Sequence, residues 1–114
     1  AYPAGESKHG PISLVEPGFP VVFICPKDDT RKTIIGNIME MKTRGASIIA
    51  IIEEGDEETK QLVDDYIEIP RGFPEVLSPV PYVVPLQLFA YYMAVERGYD
   101  PDMPRNLAKS VTVK

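Results

Sequence analysis

Residues 21–52 read VVFICPKDDTRKTIIGNIMEMKTRGASIIAII, and this stretch decides the fold. Val21-Val22-Phe23-Ile24-Cys25 is apolar on both faces, which predicts a buried parallel strand that ends at Pro26. In Arg31–Arg44 the apolar positions Ile34, Ile35, Ile38, Met39 and Met41 largely follow helical spacing. Asp28, Asp29 and Thr30 are candidate N-caps for that helix, and Gly45 stands at its stop. Ser47–Ile52, with four isoleucines, predicts a second buried strand. Strand, helix, strand over about 30 residues is a βαβ unit.

Upstream of this unit, Pro3, Gly5, Gly10, Pro11, Pro17, Gly18 and Pro20 predict loop, with one short helix near Pro11–Glu16. Downstream, Glu53–Lys60 is acidic and reads as solvated, a short helix is expected around Glu57–Asp64, and Tyr66–Ile69 reads as a third strand. Val83–Glu96 predicts a long helix closed by Gly98. Leu86, Leu88, Phe89, Tyr92, Met93 and Val95 cover much of its circumference, so burial between a sheet and a second layer is expected. Tyr99–Lys114 has no clear period. No internal repeat is visible. The fold class is α/β with about three parallel strands and flanking helices. Three strands are few for an open parallel sheet, so the chain either oligomerises or forms the back part of a larger domain.

With 114 residues, 44% hydrophobic and 25% charged, the chain has the size and balance of one ordinary globular domain. Twelve Lys and Arg against seventeen Asp and Glu give a net charge of −5, which disfavours a broad nucleic-acid-binding face. No nucleic acid or membrane partner is expected, since no apolar run approaches a membrane span. A single Cys excludes an internal disulfide and fits a reducing, cytoplasmic setting. One Cys with one His makes a self-contained zinc site improbable, so neither metal nor cofactor is expected. Twelve prolines beside only four amides (Asn37, Gln61, Gln87, Asn106) hint at a heat-adapted source.

Two clusters carry chemistry. Ala4-Gly5-Glu6-Ser7-Lys8-His9-Gly10-Pro11 holds the only His, on a polar, glycine-rich loop. Imidazole both gives and takes a proton near pH 7, so His9 is an acid–base candidate; the alternative is a surface histidine with no role. In the second cluster, Lys109 lies between Ala108 and Ser110. A desolvated Lys there attacks a carbonyl to form a Schiff base; the alternative is a solvated tail lysine.

Gly5-Glu6-Ser7-Lys8-His9-Gly10-Pro11, Val84-Pro85-Leu86-Gln87-Leu88-Phe89-Ala90-Tyr91 and Asp102-Met103-Pro104-Arg105-Asn106-Leu107-Ala108-Lys109-Ser110-Val111-Thr112-Val113 occur in that order. They resemble the G-E-x-K-H-G-P, V-P-L-Q-L-L-A-Y and D-x-P-R-N-L-A-K-S-V-T-V motifs of the glucosamine-6-phosphate synthases, the isomerising glutamine–fructose-6-phosphate aminotransferases. The resemblance implies that residues 1–114 are the C-terminal portion of the second sugar isomerase (SIS) domain, a partial doubly wound, flavodoxin-like fold with residues 99–114 as an active-site tail. It implies a Schiff-base role for Lys109, and ring opening by His9, donated from the neighbouring subunit. The Ala108 backbone would lie beside the sugar, and Glu6 and Lys8 would orient His9. The partners implied are fructose 6-phosphate, glucosamine 6-phosphate, ammonia from a glutaminase domain absent from this sequence, and a second copy in a homodimer.

Other features of that family are missing. Cys25 reads as core rather than as the glutaminase nucleophile, and the sequence has no Trp to match the family's channel gate. Neither a phosphate-binding loop nor the proton-moving Glu falls within these residues. Met103 and Lys114 depart from the usual Gln and Glu. The chain alone is therefore expected to be inactive. The alternatives are a non-catalytic phosphosugar-binding SIS module, a self-associating structural fragment, and a relative acting on other amino sugars.

Overall fold

The computed structural model describes residues 1–103. Its core is a three-stranded parallel sheet of β1 (Pro20–Cys25), β2 (Ser47–Glu53) and β3 (Asp65–Ile69), in that spatial order. Helix α1 (Arg31–Thr43) links the first pair, and α2 (Glu57–Leu62) links the second. Helix α3 (Pro79–Glu96) follows. The expected α/β class and three parallel strands are observed, with boundaries moved by a residue or a few.

Parallel register sets which residues share a face. Val21, Phe23 and Cys25 lie beside Ile48, Ala50 and Ile52. That face packs against α1 through Ile34, Ile35, Ile38 and Met41, with Val63 joining. Ile38, Ile48 and Ile52 are fully buried, and each such side chain contributes about 1.5–3 kcal/mol by leaving water. The opposite face is only partly covered. Ile51 and Ile69 are buried there, but Val22, Ile24 and Ile67 stay about 40% exposed (38%, 42% and 40%). The expectation that β1 is buried on both faces is thus corrected: its sequence is apolar on both sides, but one side lacks a covering layer within the described residues.

Gly45 closes α1 with φ +87, and its N–H donates to Lys42 O at 2.9 Å. A Cβ here would stand 3.0 Å from the Pro17 backbone, so both conformation and space demand glycine. The candidate caps at the other end of α1 act differently from expectation. Thr30 holds the cap position without capping; instead Asp28 Oδ1 accepts from Thr30 N–H (2.8 Å) and Thr30 Oγ1 (2.6 Å) in an Asx turn.

Two further corrections concern the segments around the sheet. The N-terminal loop contains two 3-10 helices, Ala4–His9 and Pro11–Leu14. Ala4, Ile12 and Val15 anchor them on the core cluster of Phe23, Ile38, Met41, Ala46 and Ile48. Helix α3 starts at Pro79, earlier than Val83, because prolines are tolerated in a first helical turn; Pro85 lies inside it. Tyr82 is buried, and its hydroxyl donates to Cys25 O at 3.5 Å.

The chain divides into two units, Ala1–Tyr82 and the segment from Val83. The expected burial of the long helix is not observed: Val83, Val84, Leu88, Phe89, Tyr91, Tyr92, Met93 and Val95 are all more than 40% exposed. The expectation that no apolar run approaches a membrane span is also corrected. The helical stretch Glu75–Glu96 is long and apolar enough, by length and composition, to cross a membrane, with a mean hydropathy of 1.2 over its window.

Candidate functional site

His9 ends the first 3-10 helix and is exposed, as are Glu6 and Lys8. Ser7 is the inward residue of the turn, and its hydroxyl donates to Ala4 O at 2.7 Å. One buried anchor thus leaves an acid, a base and an imidazole at the surface of a tethered turn. After Gly10 the chain turns into Pro11–Leu14, where Ser13 N–H and Ser13 Oγ both donate to Gly10 O, at 2.9 and 2.7 Å. Among the described residues, no hydrogen bond or ion pair joins Glu6 or Lys8 to His9. All three side chains are exposed to solvent.

A different polar cluster follows the end of β2, one that sequence reasoning missed. Asp56 is buried and caps α2, accepting from Thr59 N–H (3.2 Å) and Thr59 Oγ1 (2.7 Å). It also accepts from Arg31 Nε (3.2 Å) and Nη2 (2.6 Å), so the fork spans both carboxylate oxygens. Glu58 holds the outer side of the same guanidinium at 2.9 Å. Burial alone pushes the Asp56 carboxyl up. The hydrogen bonds from Arg31 and Thr59 outweigh it and hold the group below the usual carboxylate range. The reading of Glu53–Lys60 as wholly solvated fails at Asp56 and Thr59, because the charge finds its partner on another helix. Asp56 and Arg31 are 25 residues apart, a separation that no local pattern reveals.

Farther out, Lys60 bridges Glu57 (2.7 Å) and Glu68 (2.8 Å) and stands 5.1 Å above the Tyr66 ring. Burial pushes the Cys25 thiol up and the Tyr82 phenol up to about 12. Both are packed interior groups rather than reactive ones. Asn37 Nδ2 is buried on α1 with no hydrogen-bond partner among the described residues. Also among the described residues, no group of three or more His, Cys, Asp or Glu side chains could hold a metal ion.

The Glu6–Lys8–His9 turn packs on the cluster that holds Ala46 and Ile48, where β2 begins, whereas the Arg31–Asp56 network follows the end of β2. The two sets are separate. Ala108 and Lys109, predicted beside the sugar, lie outside the described residues, as does most of the predicted tail 99–114.

Comparison with known proteins places this geometry. The family model described as the SIS domain matches residues 1–97. The chain belongs to the SIS domain family. This SIS chain is 54% identical over 114 residues to the isomerising glutamine–fructose-6-phosphate aminotransferase of Pyrobaculum aerophilum, covering 100% of the chain and 19% of that relative. It is 52% identical over 114 residues to the enzyme of the same name from Thermus thermophilus, again with 100% and 19% covered. A solved structure, the C-terminal domain of glucosamine-fructose-6-phosphate aminotransferase from Francisella tularensis, superposes with a TM-score of 0.75 at 33% identity. That match covers 88% of this chain and 28% of the other. The chain therefore spans about a fifth of the length of the curated relatives it matches. Its uncovered sheet face and exposed apolar helix accord with a partial SIS module.

Proposed function

We propose that the chain is the C-terminal portion of the isomerase module of a synthase that converts fructose 6-phosphate and glutamine to glucosamine 6-phosphate and glutamate. One observation carries this reading. The likeness to the aminotransferases runs over all 114 residues, and so takes in the His9 loop and the Lys109 tail together.

In this reading His9 moves a proton between the anomeric hydroxyl and the ring oxygen, which opens the cyclic sugar to its C2 ketone. Lys109 Nζ adds to C2 and water leaves, giving an iminium that acidifies the C1 protons. Ammonia displaces the lysine from C2. Moving a proton from C1 to C2 then leaves an aldehyde at C1 and an amine at C2. The carboxylate that moves this proton, and the loop that grips the phosphate, belong to other parts of the parent protein. Ala108 lines the sugar with its backbone, and Glu6 and Lys8 orient His9 or meet the substrate. The parent is a cytoplasmic homodimer in which His9 serves the partner's site. Its outward position on a tethered turn supports that arrangement, and the exposed apolar residues of α3 support burial against other protein. This chain alone lacks a complete site.

Glucosamine 6-phosphate formation by the parent carrying His9→Asn or Lys109→Arg tests the proposal. Each substitution is expected to lower turnover by about a hundredfold or more. Turnover within threefold of the unsubstituted protein in both would overturn it.

A further inference from the structure

Gly10 adopts φ +151 and ψ −56, a conformation that L side chains rarely adopt. A Cβ built on Gly10 would meet nothing within 4 Å. Glycine is therefore demanded here by backbone direction and not by space. The two turns that Gly10 joins are each anchored. The Ala4–His9 turn is anchored by Ala4 on the core cluster and braced internally by the bond from Ser7 Oγ to Ala4 O at 2.7 Å. The Pro11–Leu14 turn is held by Ile12 on the core and by two bonds from Ser13 to Gly10 O. Pro11 fixes its own φ as well. Between two anchored turns, one residue sets the angle at which the chain leaves His9.

We infer that Gly10 is a positioning residue: its backbone conformation, pinned by Ser13, aims His9 at the substrate. The inference rests on the proposed acid–base role of His9 and adds a residue to it. An L-residue at Gly10 would have room for its side chain and no room in φ, so the strain would be relieved by rotating the turn that carries His9. Because ring opening needs imidazole within hydrogen-bond reach of the sugar oxygens, a rotation of this kind costs turnover at that step.

The test uses the full-length parent and two substrates. One is fructose 6-phosphate. The other is 5-deoxyfructose 6-phosphate, which lacks the oxygen that closes the ring and needs no opening. On fructose 6-phosphate, Gly10→Ala is expected to lower kcat about tenfold or more and His9→Asn about a hundredfold or more, and both are expected to leave kcat on the open-chain substrate within about twofold. Gly18→Ala is the control. Gly18 also has positive φ (+82) and open space around a built Cβ, but sits in a different turn. It is expected to leave both substrates within about twofold, since generic turn strain affects stability rather than ring opening.

Equal loss on both substrates in Gly10→Ala, or a kcat matching that of Gly18→Ala, overturns the inference. Full activity of His9→Asn on fructose 6-phosphate would instead overturn the underlying function. Should Gly10→Ala fail to fold, Ser13→Ala decides. It removes one of two bonds at Gly10 O, and is expected to cost about threefold on fructose 6-phosphate alone. No loss in that variant would overturn the inference too.

Discussion

Replacing Asp56 with Ala should destabilise this chain by about 3 kcal/mol at pH 7. The cap on α2 goes first, since Asp56 Oδ1 accepts from Thr59 N–H at 3.2 Å; losing such a cap costs about 1 kcal/mol. The charge-assisted pair with Arg31, at 2.6 and 3.2 Å, adds about 1.5–3 kcal/mol. Arg31 is not stranded, because its side chain is 20% exposed and keeps Glu58 at 2.9 Å, which places the total near the middle of the range. Asp56→Asn keeps a capping oxygen and loses the charge, so about half the effect is expected. The sign with pH follows from the lowered carboxyl. Its stabilisation is complete above the unfolded value of about 3.9 and is lost as pH falls through the lower folded value. The gap between the original chain and Asp56→Ala should therefore close in acid and stay constant between pH 5 and pH 8. Urea unfolding followed by far-UV circular dichroism at pH 7 and pH 3 measures both effects. A loss below about 0.5 kcal/mol at pH 7, or a gap that widens in acid, would mean that the Arg31–Asp56 pair contributes no more than a solvated surface ion pair.

Ile38→Ala should cost about 2–5 kcal/mol in the same assay, because Ile38 is fully buried between α1 and the sheet; a smaller loss would mean that the core repacks freely. Cys25, buried with its thiol pushed up by desolvation, should resist alkylation by iodoacetamide at pH 8 until urea unfolds the chain. Rapid labelling of the folded chain would contradict that. In the proposed homodimer, Leu88→Glu with Tyr92→Glu is expected to weaken the association of copies in sedimentation, since both side chains are more than half exposed on an apolar helix (51% and 60%). An unchanged sedimentation profile would contradict an association through α3.

The βαβ unit was legible because Val and Ile runs of strand length flank a segment with helical spacing, and those signals are local. Phe23, Ile38 and Ile48 meet where their periods place them. The coverage of the sheet was not legible. Val22 and Ile24 read as buried because they are apolar, yet burial depends on a layer that these residues do not supply. The same holds for α3, whose apolar circumference was plain while its exposure was not. Its start lies four residues before the expected Val83, because Pro79 and Pro81 fit a first helical turn, which periodicity alone does not reveal. The Arg31–Asp56 pair was invisible because the fold, not the sequence, brings the two residues together. At the candidate site, the exposure of His9 agrees with its polar, glycine-rich surroundings in the sequence. The positive φ of Gly10 beside it is set by the folded turn and leaves no mark in the sequence beyond the glycine itself.

In the proposed function, this chain supplies the lysine nucleophile and the imidazole of a sugar isomerase whose remainder lies elsewhere in the parent. Borohydride trapping with fructose 6-phosphate, read by intact mass and peptide mapping, tests it most directly. One sugar adduct is expected in the full-length parent, located on the peptide that carries Lys109, and no adduct on the isolated chain. An adduct on another lysine, or none in an active parent, would contradict it.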